Sequence, residues 1–138
     1  MWASEGMSTA MGSWNVDGST RPGVLMLRLE GVLSEKEMNA FVRTHDAAID
    51  AFAGADYRVF CDIRELKPLS PKCAALFEEA KTYSNAHPNF RGSAVLVASK
   101  LVALQHQRTS TSSGVMTTEL ISEDEAACWK HLAHVRRS

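Results

Sequence analysis

Apolar residues recur along this chain in two rhythms, short runs that suit strands and spaced stripes that suit helices. Ser13-Trp14-Asn15-Val16 reads as a short edge strand, and dense turn signals follow from Asp17 to Gly23. Val24–Leu29 (VLMLRL) is almost continuously apolar, as a strand covered on both faces should be. Met38, Phe41, Val42, His45, Ile49 and Phe52 then recur at helical spacing and predict one buried helix face. Ser34-Glu35-Lys36-Glu37 at its start is a capping box, in which Ser34 accepts from the Glu37 amide and Glu37 reaches back. Gly54 is the expected C-cap.

The same alternation continues. Arg58–Ile63 predicts a central strand, and Ser70 as N-cap with Pro71 at the first helical position opens a helix to about Asn85. Its expected buried stripe is Cys73 or Ala74, Phe77, Ala80 and Ser84. Ser93–Ala98 predicts a third buried strand, and Ser99 caps a helix from Lys100 to about Arg108. Thr109–Gly114 reads as a polar turn and Val115–Leu120 as the last strand. A second capping box, Ser122-Glu123-Asp124-Glu125, starts a helix through Trp129 to about His134. Strands alternating with helices predict βαβ units, a mostly parallel sheet and right-handed crossovers, with the first strand antiparallel. The expected fold is a single α/β domain over 13–138, with about five strands and about four helices, after a flexible segment at 1–12.

Composition narrows the function classes. The 138 residues fit one domain, and 45% apolar with 22% charged residues is ordinary for a globular protein. A formal net charge of -1, with scattered Lys and Arg, gives no basic stripe for nucleic acid. No apolar run approaches the ~20 residues of a membrane span. The N-terminus lacks the pattern of a secretory signal, and Cys61, Cys73 and Cys128 include no CxxC pair. A reducing cytoplasm suits such cysteines.

No stretch carries a strong catalytic or cofactor signature; there is no G-x-S-x-G, phosphate-binding glycine loop or H-E-x-x-H. No cofactor and no metal are expected. His131 and His134 share a helix face without a third ligand in range, and His45 fits a core histidine better than a ligand. Cys61 reads as a buried apolar residue. Cys73, in a first helical turn beside Lys72, could have a lowered pKa, although no histidine is placed as its base and packing explains it better. Asp62, Glu65, Glu78 and Glu79 do not form an evident acid–base pair.

The order of elements, the strand VFCDI with its loop and helix, and the ending TTELISEDEAACWKHL resemble the STAS superfamily, most closely its stand-alone bacterial SpoIIAA-like branch. The resemblance spans about residues 13 to 135. In the anti-sigma-factor antagonists of that superfamily, a serine at the start of the helix after the central strand is phosphorylated by a partner kinase. Asp62 matches their strand-end aspartate, Ser70 falls at their capping aspartate, and Pro71-Lys72-Cys73 replaces Ser-Ser-Gly. The usual phosphoacceptor is therefore missing unless Ser70 serves, and Ser70 fits an N-cap.

What the resemblance implies is a non-catalytic, regulatory domain that binds a protein partner, with self-association as a further option. The expected contact surface comprises Asp62, Ser70, Lys72 and Cys73 with the neighbouring Ser99 and Lys100, two helix starts at the carboxyl edge of the sheet. The competing expectation is a carrier of a small apolar or lipid-like ligand, by analogy with Sec14-like lipid-transfer architecture. That reading needs a cavity between helices and sheet, lined by residues such as Met38, Phe41 and Phe77.

Overall fold

The structure is a computed structural model that describes residues 12–136; the segment expected to be flexible lies almost wholly outside the described residues. Five strands, β1 (Ser13–Asp17), β2 (Val24–Glu30), β3 (Tyr57–Asp62), β4 (Phe90–Leu96) and β5 (Glu119–Ser122), form one sheet in sequential order. β1 runs antiparallel to β2, and every other neighbouring pair is parallel. The helices are α1 (Glu35–Asp50), α2 (Pro71–Asn85), α3 (Lys100–Ser113) and α4 (Glu125–His134). Crossovers of one hand that each advance a single strand leave their helices on one face. α1, α2 and α3 share such a face, and α4 covers the other.

Strand alternation assigns each side chain to a face. Leu27, Cys61 and Val95 are register partners in adjacent strands and enter the core beneath α1–α3, with Phe41, Ile49 and Phe77 above them. Phe60, Ala94 and Leu96 point the other way and pack with Cys128 and Leu132 of α4. Trp129 stacks on Phe60 with ring centroids 4.4 Å apart, and the Arg21 guanidinium covers its outer face at 3.9 Å. In β1, Trp14 meets Phe41 of α1 edge to face. Among the described residues, no helix is long and apolar enough to cross a membrane.

Several boundaries differ from expectation for local reasons. The capping box of α1 forms as read, with both Ser34–Glu37 bonds made, but the helix ends at Asp50 with Ala51 as C-cap. Gly54, at φ 88°, completes the turn beyond it. The polar run after Arg108 continues α3 to Ser113. Its hydroxyls bond back to helix carbonyls, Thr109 to His106, Thr111 to Gln107 and Ser113 to Ser110. Side chains that usually compete with a helix are here satisfied within it, and Gly114 ends it in the left-handed conformation.

Val115 then drops into the core and Thr118 closes a turn onto its carbonyl. Strand pairing therefore starts only at Glu119, beside Ser93, and not at Val115. The second capping box is also displaced. Ser122 ends β5 and accepts from the Asp124 amide, while Asp124 caps α4 through the Ala126 amide.

Candidate functional site

The carboxyl edge of the sheet is set by how β3 ends. Asp62 lies beside Arg28 in the β2–β3 register and is nearly buried. Its carboxylate accepts from Arg64 Nε at 3.1 Å and Nη2 at 2.8 Å, from the Arg64 amide at 3.1 Å, and from Arg28 Nη2 at 3.3 Å. Burial pushes this carboxyl upward. The Arg64 hydrogen bonds and the charges of Arg64 and Arg28 outweigh it, so Asp62 is held below its ordinary range. Asp62 is thus an anchor for two arginines, one of which also approaches Glu125 of α4 at 3.9 Å.

The connection from β3 to α2 is pinned along its length. Ile63 donates to Leu96, Gly31 to Glu65 and Lys67 to Gly31, so the main chain lies against the ends of β2 and β4. Ile63, Leu66 and Leu69 are buried beneath it. At Leu69 the amide donates to Gln105 Oε1 and the carbonyl accepts from Gln105 Nε2, both at 2.8 Å. One side-chain amide of α3 satisfies both polar groups of a main-chain residue, as a neighbouring strand would.

Ser70 follows directly and caps α2 by accepting from the Cys73 amide at 3.1 Å, with Pro71 at the helix start. Ser99 caps α3 by accepting from the Val102 amide at 3.4 Å. Lys67, Ser70, Lys72, Ser99 and Lys100 are all exposed, as are Leu101 and Leu104 on α3. Cys73 corrects the expected surface. Its side chain is buried in the main core, with Sγ 3.6 Å from the Leu33 carbonyl, because the first turn of α2 rotates this position inward. Asp62, though at the edge, presents no unpaired carboxylate.

A second cluster carries no signal in local spacing. Lys81, on the inner side of α2, donates from Nζ to Ser110 Oγ at 2.6 Å and to the His106 carbonyl at 3.3 Å. It lies 3.1 Å from Glu119 Oε2. Ser110 also donates to Glu119, and Ser93 Oγ lies 3.4 Å from the same carboxylate. Burial drives the Lys81 pKa downward, against the pull of Glu119. A cavity of about 30 Å³ beside the cluster is lined by Phe41, Phe77 and Val95 as well as by Lys81, Glu119 and His106. It has room for about one water molecule.

The remaining candidates are committed elsewhere. His45 Nδ1 donates to Asp46 at 2.8 Å, and His131 Nε2 to the Thr118 carbonyl at 3.0 Å. All three cysteines are free and buried. Burial pushes the Cys61 thiol far up and that of Cys128 up to about 11, with Asp124 adding to the latter. Neither supplies a thiolate near neutral pH.

No family model matches this chain, and no curated protein is significantly similar to it. Among solved structures it is similar to the crystal structure of an uncharacterized protein from the DUF3478 family with a SpoIIAA-like fold, from Shewanella loihica PV-4. The two share 16% sequence identity at a TM-score of 0.61, over 88% of this chain and 93% of the other. The fold of this chain is SpoIIAA-like.

Proposed function

We propose that this protein is a non-catalytic binding domain that presents the carboxyl edge of its sheet to a protein partner in the bacterial cytoplasm. One observation carries the reading: the groups at this edge that could do chemistry are already engaged, while among the described residues the exposed Lys67, Lys72 and Lys100 make no side-chain bond. Asp62 is held by two arginines, Ser70 and Ser99 cap helices, and Cys73 is buried. Lys67, Lys72 and Lys100 stand on segments that Gln105 ties together. Three lysines on a fixed frame can pair with acidic side chains of a partner, where charge sets encounter and register. The carrier reading has less support, since a lipid-like ligand is far larger than the roughly one water that the cavity admits.

The test is affinity capture from the native cell with wild-type protein and with Lys72→Glu and Lys100→Glu. A defined partner retained by wild type and lost, or weakened at least tenfold, in both variants supports the reading. Equal retention by all three removes this surface from consideration. Denaturing mass spectrometry of extracts from the same purified protein addresses the carrier reading, because a stoichiometric co-purifying lipid would favour it.

A further inference from the structure

α3 is fastened in an unusual way. Its buried stripe is Val102, His106, Thr109, Ser110 and Ser113, so only its first turn contributes a buried aliphatic side chain. α1 by contrast buries Met38, Phe41 and Ile49. An element with few buried apolar contacts opens more readily than its neighbours, and here polar contacts to α2 and β5 hold it.

We propose that His106, Lys81, Ser110 and Glu119 form an acid-sensitive latch, in which protonation of His106 releases α3 while the strands stay folded. The inference concerns the helix face of the sheet and stands whatever binds the carboxyl edge. The His106 ring packs edge to face on Phe77 at 4.5 Å, and its buried Nε2 has no hydrogen-bonding partner among the described residues. Lys81 and Ser84 of α2, Glu119 of β5, Cys61 of β3, Ser93 of β4 and His45 of α1 line the same cavity.

Among these groups Glu119 is the one carboxylate, and it already accepts from Lys81, Ser110 and Ser93. His45 is bonded to Asp46. A proton on His106 would place a second cation near Lys81 with no free anion to meet it. Water would relieve that charge once α3 moves away. Burial first, and Lys81 second, push the His106 imidazole well below its ordinary value. A released α3 restores that value of about 6.5. The closed state is therefore fully favoured above pH ~6.5 and loses about tenfold in population ratio per pH unit below it, until the depressed pKa is reached.

Hydrogen exchange tests this on the full chain, comparing protection factors corrected for intrinsic exchange at pH 7.5, 6.0 and 5.0. In wild type, α3 amides should lose protection by up to about tenfold per unit below pH ~6.5, with β3 and β4 amides unchanged. His106→Phe and His106→Gln, which cannot take up the proton, should flatten that dependence. A folded variant that keeps the wild-type loss overturns the latch, as does simultaneous loss of protection in α3 and the strands. A wild-type NMR titration guards against variants that do not fold: His106 titrating near 6.5 with α3 still protected would also overturn it.

Discussion

The Lys81 ammonium lies 3.1 Å from the Glu119 carboxylate, and both side chains are almost fully buried. The pair joins the middle of α2 to the first residue of β5, thirty-eight residues apart in sequence. Burying two charges costs about as much as their attraction returns, so such a pair adds little net stability. Its constraint lies in the asymmetry of breaking it.

Removing one partner should therefore cost far more than replacing both. Glu119→Ala is expected to lose about 3–5 kcal/mol, because it strands the Lys81 charge in the core. Combined with Lys81→Met, much of that loss should return. The Glu119→Ala protein should also gain stability as pH rises. Burial lowers the Lys81 pKa in the fold, so alkaline conditions let it enter the core uncharged. Urea denaturation of the two single variants and the double variant at pH 7 and 9 measures this. A double variant no better than Glu119→Ala would contradict it.

Asp62 should contribute to the acid limb of the stability curve. Its carboxyl is held below its ordinary range in the fold, so its contribution is complete above the unfolded value of ~4 and fades as pH falls through the folded one. Asp62→Asn should cost about 1.5 kcal/mol at pH 7 through the weakened arginine contacts. It should also flatten the wild-type decline between pH 4 and 2. Guanidinium midpoints across that range decide the matter, and identical slopes for the two proteins would count against it.

Ser70→Ala removes the α2 cap and should lower stability by about 1 kcal/mol. Ser70→Asp preserves a capping oxygen and should stay within about 0.3 kcal/mol of wild type. Thermal melts of both provide the comparison. Equal losses in the two would mean that the hydroxyl acts through something other than the Cys73 amide.

Gly92 is required where β4 passes the end of the chain. Its φ is 148°, and a Cβ there would lie 2.7 Å from both methyl groups of Val135 and 3.0 Å from the Thr118 carbonyl. Gly92→Ala should destabilise by about 2 kcal/mol through backbone strain and displacement of Val135. The paired variant Gly92→Ala/Val135→Ala should recover part of this. A neutral Gly92→Ala in chemical denaturation would show that the close approach relaxes freely.

What could be read in the sequence was local. The Ser34–Glu37 box, the Ser70 and Ser99 caps, and the apolar runs of β2 and β4 announce themselves over a few adjacent positions, and together they order the fold. Thr109–Ser113 reads as a turn because hydroxyl-rich runs usually leave a helix, whereas here hydroxyls of the run donate to the His106, Gln107 and Ser110 carbonyls within it. Lys81 and Glu119 look like ordinary surface charges, and nothing near either names its partner. Asp62 was conspicuous, yet its role depends on Arg28 arriving from another strand and Arg64 folding back. Cys73 admits two readings, a stripe position and a part of the contact surface, because a helix start does not reveal which way its first turn faces; it is the buried one that holds.

Gln105 sits one residue before His106, yet its amide is spent on the main chain at Leu69. The Lys67–Ser70 segment, exposed apart from Leu69, is therefore hinged to the same turn of helix that closes over the buried charges. A shift of that turn cannot stay private to the interior. It must either carry Leu69 along or leave a main-chain amide and carbonyl to find water, and the helix start at Ser70 moves with whichever occurs. Between the buried charges and the rim of this protein runs a small direct coupling, a single carboxamide wide.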